Sequence, residues 1–410
     1  MAKGKSSLAA LVVLCAFGGA AGAADVPADE ILARAEAERT AFVQTWEKLV
    51  NVDTGTGHGP GLSEVEAMLV EHLENLGAEV EVTPAEPSTG NNIVGTLQGT
   101  GDVKFLLMVH YDTVFEPGTA AERPFRTDEN RAYGPGVADA KGGLAVILHS
   151  LELLRDFEFD GYGTITVLFN PDEETGSAGS RDTIAELARQ QDYVFSYEPP
   201  DTQAVTTVTN GINYVFLDVK GRASHAGSAP EEGRNAVIEL AHQLVQLNDL
   251  GNPEKGTTVN WTIVEGGEKR NIIPSSARAE GDMRYSDFSE YDRVLADARQ
   301  ISRNQSIPDT EVEFRIERGR PPLARNEGSE QLAATAARLH GEIGRDLDAI
   351  AMRFGTDAGY AYVPDSPKPA VLETMGLVGV GLHSPEEYAE LSSIAPRLYL
   401  TTRLIMELSQ

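Results

Sequence analysis

Apolar runs typical of buried strands alternate with helical patterns through the first half of the chain. Residues 63–76 carry apolar side chains at helical spacing, with Ser63 and Glu66 as a predicted capping box and Gly77 as the stop. The other segments are predicted strands at 79–83, 92–97, 103–109, 164–170 and 193–197, and predicted helices at 142–154 and 180–189. This order predicts an α/β domain whose mixed, largely parallel sheet is flanked by helices.

The pattern changes near Asn210, where a second block of strands and helices begins. Residues 210–321 contain four predicted strands and two predicted helices, which is the composition of a small α+β unit. Residues 322–410 then return to helices and one short apolar strand at 370–374. We therefore predict a discontinuous domain formed by residues 24–209 and 322–410, with residues 210–321 inserted as a second domain.

The first 23 residues have the pattern of a secretory signal peptide. Lys3 and Lys5 precede an apolar stretch, Leu8–Phe17, and Ala21-Gly22-Ala23 is a small-residue cleavage site. A short membrane anchor is the alternative. Cleavage would remove Cys15, the single cysteine, so the mature chain would contain no disulfide. The sequence thus predicts an exported protein, periplasmic or secreted, with no further membrane segment.

The charge balance argues against two classes of partner. The chain has 34 basic and 63 acidic residues, a net charge of −29. Such a surface repels nucleic acid and anionic membranes, so neither is an expected partner.

Acidic and histidine side chains follow several of the predicted strands. Asp172, Glu173 and Glu174 come directly after the strand 164–170, and His110-Tyr111-Asp112 ends the strand 103–109. Three adjacent acids repel one another unless a cation holds them, although a solvated turn that caps a helix is the plain alternative. Asp112 is well placed to orient His110 through its second ring nitrogen.

Three further candidates complete a possible metal-binding set. Asp139 lies in the glycine-rich segment 134–143, Glu198 follows the strand 193–197, and His383 follows the glycine-rich run 375–382. Two histidines and several carboxylates form a ligand set that suits Zn²⁺, with Co²⁺ or Mn²⁺ as substitutes.

Six motifs in order resemble the co-catalytic di-zinc exopeptidases and amidohydrolases. This family includes glutamate carboxypeptidases of the carboxypeptidase G type, aminoacylases, acetylornithine deacetylase and succinyl-diaminopimelate desuccinylase. The motifs span nearly the whole mature chain, and they are His110–Asp112, Gly136–Gly143, Asp172–Ser177, Ala223–Gly227, Asn271–Pro274 and His383. The resemblance implies that the inserted unit is a lid and dimerisation domain, and therefore a homodimer.

The resemblance also implies a role for each site residue. One zinc would be bound by His110 and Glu198, and the other by Glu174 and His383. Asp139 would bridge both metals and precede a cis peptide bond. Glu173 would act as general base, and His225, supplied by the partner subunit, would help to stabilise the oxyanion.

The expected substrate is a small peptide or an N-acyl amino acid with a free carboxylate. Arg284 and Asn271, and more weakly Arg320, are candidates to bind that carboxylate, because a guanidinium matches its geometry; a surface ion pair is the alternative for each arginine. An aminoacylase or dipeptidase would use the same site, and a non-catalytic zinc-binding protein is the remote alternative. Retention of Glu173 argues against the last of these.

One departure bears on which amino acid would be released. Family members that favour glutamate tend to carry a lysine shortly after the position of Glu198, whereas residues 199–210 contain no Lys or Arg here. A buried side-chain carboxylate without a cation is unfavourable. We therefore expect a broader or neutral side-chain preference rather than strict glutamate specificity.

Overall fold

The structure is a computed structural model that describes Met1, residues 26–364, Ser366 and residues 368–410. The predicted signal peptide, apart from Met1, lies outside the described residues. The helices are α1 (Ala28–Val50), α2 (Gly59–Asn75), α3 (Thr119–Glu122), α4 (Lys141–Asp156), α5 (Arg181–Ala188), α6 (Ala236–Gln246), α7 (Phe288–Ile301), α8 (Glu327–Glu342), α9 (Ala358–Ala361) and α10 (Ile394–Leu408).

Strands before the second block are β1 (Glu79–Pro84), β2 (Asn91–Gln98), β3 (Lys104–His110), β4 (Arg126–Thr127), β5 (Arg131–Tyr133), β6 (Thr164–Asn170), β7 (Tyr193–Ser196) and β8 (Ala204–Val208). Later strands are β9 (Gly211–Lys220), β10 (Ser224–His225), β11 (Thr258–Gly266), β12 (Ile272–Ile273), β13 (Ser276–Tyr285), β14 (Glu311–Arg318), β15 (Asp348–Ala351), β16 (Ala370–Leu372), β17 (Gly379–Val380) and β18 (Tyr388–Glu390).

A six-stranded sheet in the order β1-β2-β6-β3-β7-β16 forms the centre of the larger unit. Strands β6, β3, β7 and β16 run parallel, while β1 and β2 form an antiparallel edge. The mixed, largely parallel sheet predicted from the sequence is confirmed. Because β6, β3 and β7 are parallel, their carboxyl ends lie at one edge of the sheet.

Both faces of this sheet are covered by apolar contacts. Alternate residues of β3 point to opposite faces: Phe105 and Leu107 pack in the core that contains α1, α4 and α10, while Leu106 and Met108 pack in the core that contains α5 and α9. A strand that is buried on both faces has consecutive apolar residues, which explains why residues 105–109 are all apolar.

Helix α1 was not predicted, although its apolar spacing is regular. Buried residues at positions 31, 35, 42, 46 and 49 form one stripe, and the helix contacts α4 and α10. Its Trp46 also donates a hydrogen bond of 2.9 Å from Nε1 to the carbonyl of Val137, two residues before Asp139. The helix therefore supports the loop that carries a candidate ligand.

The predicted start of α2 is wrong. The helix begins at Gly59 with Pro60 in its first turn, so Ser63 is an interior residue and forms no capping box. Proline fixes φ near its helical value. It lacks a backbone N–H, but N–H groups in the first turn have no partner within the helix, so nothing is lost. Pro60 was therefore the better signal of the helix start.

A second hydrophobic core belongs to the later block. Strands β11-β13-β9-β14 form an antiparallel sheet, and the buried residues of this core all fall between Val215 and Phe314, including those of α6 and α7. This is the four-stranded, two-helix unit that the sequence predicts between 210 and 321. Among the described residues, no helix is long and apolar enough to span a lipid bilayer.

Candidate metal centre

Three neighbouring parallel strands bring the first candidates together. His110 ends β3, Glu173 and Glu174 follow β6 in a short 3₁₀ turn, and Glu198 lies two residues after β7. Asp139 reaches the same place from the loop before α4, and His383 reaches it from the loop after β17. The structure therefore places all five predicted metal ligands and Glu173 in one cluster.

The cluster has two halves that share Asp139. In one half, His110 Nε2 lies 3.1 Å from Asp139 Oδ1 and 3.4 Å from Glu198 Oε1. In the other, His383 Nε2 lies 3.2 Å from Asp139 Oδ2 and 3.2 Å from Glu174 Oε2. Each oxygen of Asp139 thus faces a different histidine, which is the arrangement of a carboxylate that bridges two cations.

Asp112 fixes several neighbours at once. Its carbonyl oxygen lies 3.0 Å from His110 Nδ1, and its carboxylate accepts hydrogen bonds from the backbone N–H groups of Glu173 and Glu174 and from Thr56 Oγ1. A proton on Nδ1 leaves Nε2 with a free lone pair directed toward Asp139 and Glu198. The contact therefore selects the tautomer of His110 that can bind a metal.

A buried carboxylate that the sequence analysis missed holds the Asp139 loop. Glu387 accepts hydrogen bonds of 2.8–3.0 Å from the backbone N–H groups of Gly136, Ala138 and Asp139. Burial raises the pKa of Glu387 to about 7. The peptide bond between Asp139 and Ala140 is cis, so that prediction is confirmed. Glu387 lies only four residues after the candidate ligand His383, and this proximity could have identified it from the sequence.

Glu173 is paired with Arg320, which is buried beside it. Arg320 Nη1 lies 2.6 Å from Glu173 Oε1, and Nη2 donates to the backbone carbonyl of Glu173. Nη1 also donates to the carbonyl of Gly355 at 2.9 Å, and Asp357, a residue that the sequence analysis missed, lies 4.0 Å from Arg320 Nε. Because its guanidinium is engaged by protein groups, Arg320 is well placed to orient Glu173.

Burial and charge shift the pKa values of the cluster in opposite directions. Desolvation raises the pKa of Glu173 well above its ordinary value, against the lowering effect of Arg320, and raises that of Glu198 to about 8. Burial alone would lower the pKa of His110, but the charge of Glu198 and hydrogen bonds to Asp112 and Asp139 outweigh it and raise that pKa. Hydrogen bonds to Asp139 and Glu174 raise the pKa of His383 to about 10.

The raised pKa values of His110 and His383 follow from the carboxylates beside them, an arrangement that favours positive charge. Glu174 Oε1 is buried and has no hydrogen-bond partner among the described residues, and the carboxylates of Glu173 and Asp357 lie within 4.0 Å of the buried Arg320 guanidinium. Imidazole and carboxylate donors at these positions fit Zn²⁺ or a similar divalent ion. The residues present therefore suit a pair of metal ions.

A cleft of about 420 Å³ opens beside the cluster. Arg284 of β13 lines it together with Glu173, Glu198 and His383, so the second block contributes a cation to the cleft. Arg284 Nε donates to both oxygens of Asp282, at 2.9 and 3.0 Å. The remaining wall includes the apolar side chains of Pro199, Ile212, Phe354 and Leu382.

His225 and Asn271 are not among the residues that line this cleft. They are neighbours in the second block, where the N–H of Ala226 donates to the carbonyl of Asn271, and both side chains are exposed. His225 Nδ1 accepts hydrogen bonds from the backbone N–H groups of Gly227 and Ser228, both at 3.1 Å. Their roles in catalysis and substrate binding stay predictions.

The fold and the cluster define a metal-dependent hydrolase of the α/β type. Residues 106–407 match the model of peptidase family M20/M25/M40. The chain belongs to this family, and it is therefore a metallopeptidase or amidohydrolase.

Two relatives and one solved structure illustrate the similarity. Carboxypeptidase G2 of Pseudomonas sp. (strain RS-16) is 42% identical over 376 residues, covering 90% of both chains. Acetylornithine deacetylase of Proteus mirabilis is 31% identical over 234 residues, which is 53% of this chain and 59% of the relative. The YXEP protein of Bacillus subtilis, described as a dinuclear metal-binding M20 peptidase, has a TM-score of 0.67 at 14% identity over 91% of this chain and 99% of that one.

Proposed function

We propose that this protein is an exported di-zinc carboxypeptidase that hydrolyses an amide next to a free α-carboxylate and releases the C-terminal amino acid. The observation that carries the proposal is Asp139, whose two oxygens face His110 and His383 separately. One zinc would be held by His110 and Glu198, the other by Glu174 and His383, and both by Asp139. Co²⁺ or Mn²⁺ could replace zinc.

Bound zinc would lower the pKa of a water toward neutrality and polarise the substrate carbonyl. Glu173 would accept a proton from the attacking water at its carboxylate and later deliver it to the departing amine nitrogen. Its contacts with Arg320 hold the carboxylate in one position and favour its ionised form against burial. Asp112 keeps the His110 ring in the ligating tautomer.

Recognition of the substrate would rest on Arg284. In the described part of the chain its Nε is engaged by Asp282, which leaves the two Nη groups as donors to a substrate carboxylate. Arg320, the other arginine of the cleft, is committed to Glu173. The amino-acid side chain would meet Ile212, Phe354 and Leu382, so we infer a preference for neutral or apolar side chains over glutamate.

A homodimer would explain the positions of His225 and Asn271. Both are exposed on the second block and neither lines the cleft of its own chain, so in a homodimer they would act at the cleft of the second copy. His225 of the partner would then donate to the oxyanion, and Asn271 would help to bind the carboxylate.

A panel of matched substrates tests the proposal. Zinc-loaded protein should hydrolyse N-acyl amino acids and dipeptides that carry a free α-carboxylate, and the matched C-terminal amides should react at least about 100-fold more slowly, roughly 2.7 kcal/mol in transition-state binding. Comparing kcat/KM for N-acyl-leucine, N-acyl-phenylalanine and N-acyl-glutamate measures the side-chain preference. A more than hundredfold preference for glutamate would contradict the inferred neutral pocket.

The second candidate is an N-acyl-amino-acid deacylase, which the similarity to acetylornithine deacetylase favours. The same panel separates the two, because a deacylase would prefer short acyl groups such as acetyl, whereas a carboxypeptidase would prefer aminoacyl or aroyl groups. Zinc-loaded protein that is inert on every substrate would favour the remote alternative, a non-catalytic zinc-binding protein.

Export can be tested independently of activity. The predicted signal peptide ends at Ala23, so the mature protein recovered outside the cytoplasm should begin at Ala24 by amino-terminal sequencing. Recovery of the intact chain in the cytoplasm would contradict export.

A further inference from the structure

A second group of histidine and glutamate side chains lies between α1, α2 and α4. His149 Nδ1 is 2.9 Å from Glu38 Oε1 and 3.0 Å from Glu152 Oε2. The other oxygen of Glu152 is 2.9 Å from His72 Nε2. His149 is buried, and both histidine rings lie within hydrogen-bond distance of the Glu152 carboxylate.

This group is separate from the candidate metal centre. His149 lies eight residues beyond Lys141 along α4, which corresponds to about 12 Å at 1.5 Å per residue. Glu38 comes from α1 and His72 from α2, neither of which supplies a ligand to the first cluster. The ligand atoms of Glu38, His149 and Glu152 all lie within 4.8 Å of one another.

Two carboxylate oxygens approach the same ring nitrogen in this group. His149 Nδ1 can carry one hydrogen, yet two carboxylate oxygens approach it at hydrogen-bond distance. A single cation placed between His149 Nδ1, Glu38 Oε1 and Glu152 Oε2 would be bound by all three atoms. The second ring nitrogen, Nε2, lies 3.0 Å from Thr45 Oγ1, a partner that would fix the tautomer with a free lone pair on Nδ1.

We propose that Glu38, His149 and Glu152 form a structural Zn²⁺ site that joins α1 to α4. His149 Nδ1 and one oxygen from each glutamate are the protein ligands. His72 positions Glu152 through its other oxygen, and Thr45 positions His149. Thr45 and His72 also line a cavity of about 250 Å³. A tetrahedral zinc would take water as its fourth ligand.

The charges around the site agree with a divalent ion. Two carboxylates and a neutral imidazole balance Zn²⁺, and the cavity wall adds one further charge of each sign, Lys48 and Glu71. Without metal, burial lowers the pKa of His149, but hydrogen bonds to Glu152 and Glu38 outweigh burial and raise it. Zinc binding requires the neutral ring, so zinc would compete with a proton for Nδ1.

The number of zinc ions bound per chain tests this site. The test compares variants with the wild type, so it does not depend on how many ions the candidate metal centre binds. The full chain is stripped with chelator, equilibrated with Zn²⁺, desalted and analysed by inductively coupled plasma mass spectrometry. His149→Gln and Glu38→Gln should each bind one zinc fewer per chain than the wild type. Glu71→Gln, which removes an exposed carboxylate from the cavity wall but no ligand, should retain the wild-type number.

Two further readouts separate ligands from positioning residues. His72→Gln should weaken zinc binding at this site about 10–100-fold without abolishing it, as expected for a residue that only orients a ligand. Crystals soaked in Zn²⁺ should show an anomalous peak about 2.0–2.1 Å from His149 Nδ1.

Equal zinc content in the wild type and a folded His149→Gln variant would overturn the site and leave a protonated histidine shared by two carboxylates. If His149→Gln fails to fold, Glu38→Gln decides the question, because its amide oxygen still accepts a hydrogen bond from His149.

Discussion

Asp112 shows how one side chain can organise several others. It bonds to His110 Nδ1 through its carbonyl oxygen and to the N–H groups of Glu173 and Glu174 through its carboxylate. The candidate ligands of both halves and the candidate base are therefore fixed relative to one another before any substrate arrives. Such preorganisation is what a catalytic metal centre requires.

The two adjacent glutamates should respond differently to substitution. Glu173→Gln should retain both zinc ions and the fold but lose about 10²–10⁴-fold in kcat, because it removes the general base. Glu174→Gln should lower zinc content as well, because it removes a ligand. Metal analysis alongside kinetics checks the assignment, and equal zinc contents in the two variants would contradict it.

The metal-free protein should become less stable as pH rises. The pKa of His383 is raised from 6.5 to about 10 by hydrogen bonds to Asp139 and Glu174, and that of Glu198 is raised from 4.5 to about 8 by burial. The folded chain thus binds protons that the unfolded chain releases. Stability from His383 is complete below pH 6.5 and disappears as pH rises through 10, and the Glu198 contribution falls between pH 4.5 and 8.

Urea midpoints of chelated protein at pH 6 and pH 9 measure this effect, and the midpoint should be lower at pH 9. Zinc should oppose the trend, because it requires deprotonated ligands, so the difference between loaded and chelated protein should widen with pH. A chelated protein that is equally stable at both pH values would contradict the expectation.

Residues in local motifs could be found from sequence, whereas residues paired over long distances could not. His110, Asp139, Glu174, Glu198 and His383 stand at strand ends or in glycine-rich loops, and the structure gathers all of them. Neither the contact of Arg320 with Glu173 nor that of Glu38 with His149 leaves a local pattern. Only the tertiary fold creates those pairs.

At the scale of elements, the loop that carries Asp139 is held by side chains that are distant from it in the sequence. Trp46 of α1 bonds to Val137, and Lys141 at the start of α4 donates from Nζ to the carbonyl of Val52 at 2.7 Å. Together with Glu387 these contacts hold both ends of the segment that carries Asp139.

Substitution of Glu387 tests how far the Asp139 loop depends on this support. Glu387→Gln places an amide N–H against backbone N–H donors, so we expect about 1–3 kcal/mol lower stability and 10–100-fold weaker zinc binding. Glu386→Gln, its exposed neighbour, is the matched control and should change neither. Zinc titration and chemical denaturation provide the measurements, and wild-type affinity in Glu387→Gln would contradict the role.

Periodicity predicted the central strands well, but it did not capture every element with a regular burial pattern. The strands β3, β6 and β7 were predicted within a few residues. Helix α1 was missed despite a regular apolar stripe, and the buried strand β8 was missed as well. The start of α2 was misplaced because Ser63 was preferred over Pro60.

At the scale of the whole molecule, the proposed homodimer can be tested through the exposed His225 of the second block. The proposed dimer would use the second block, with His225 acting on the partner's site. Inactive His225→Ala and Glu173→Ala chains, mixed and allowed to exchange subunits, should recover activity, because each heterodimer contains one site with both residues intact. Full random exchange predicts about a quarter of wild-type activity.

The measurement is the steady-state rate of hydrolysis after mixing. Subunit exchange is followed independently by placing a different tag on each variant. Each variant alone is the control and should stay inactive. Demonstrated exchange without recovery would show that His225 does not act across a subunit boundary.

The position of the second core between two parts of the first has a consequence for biosynthesis. Strand β16 completes the central sheet beside β7, yet it follows β7 by about 170 residues. At ribosomal rates of 5–20 residues per second, the edge of β7 stays unpaired for roughly 10–35 s while the later block emerges and can fold on its own core. An open apolar strand edge invites aggregation during that interval. The nascent chain should therefore depend on chaperones most strongly after β7 has been made and before β16 and α10 leave the ribosome.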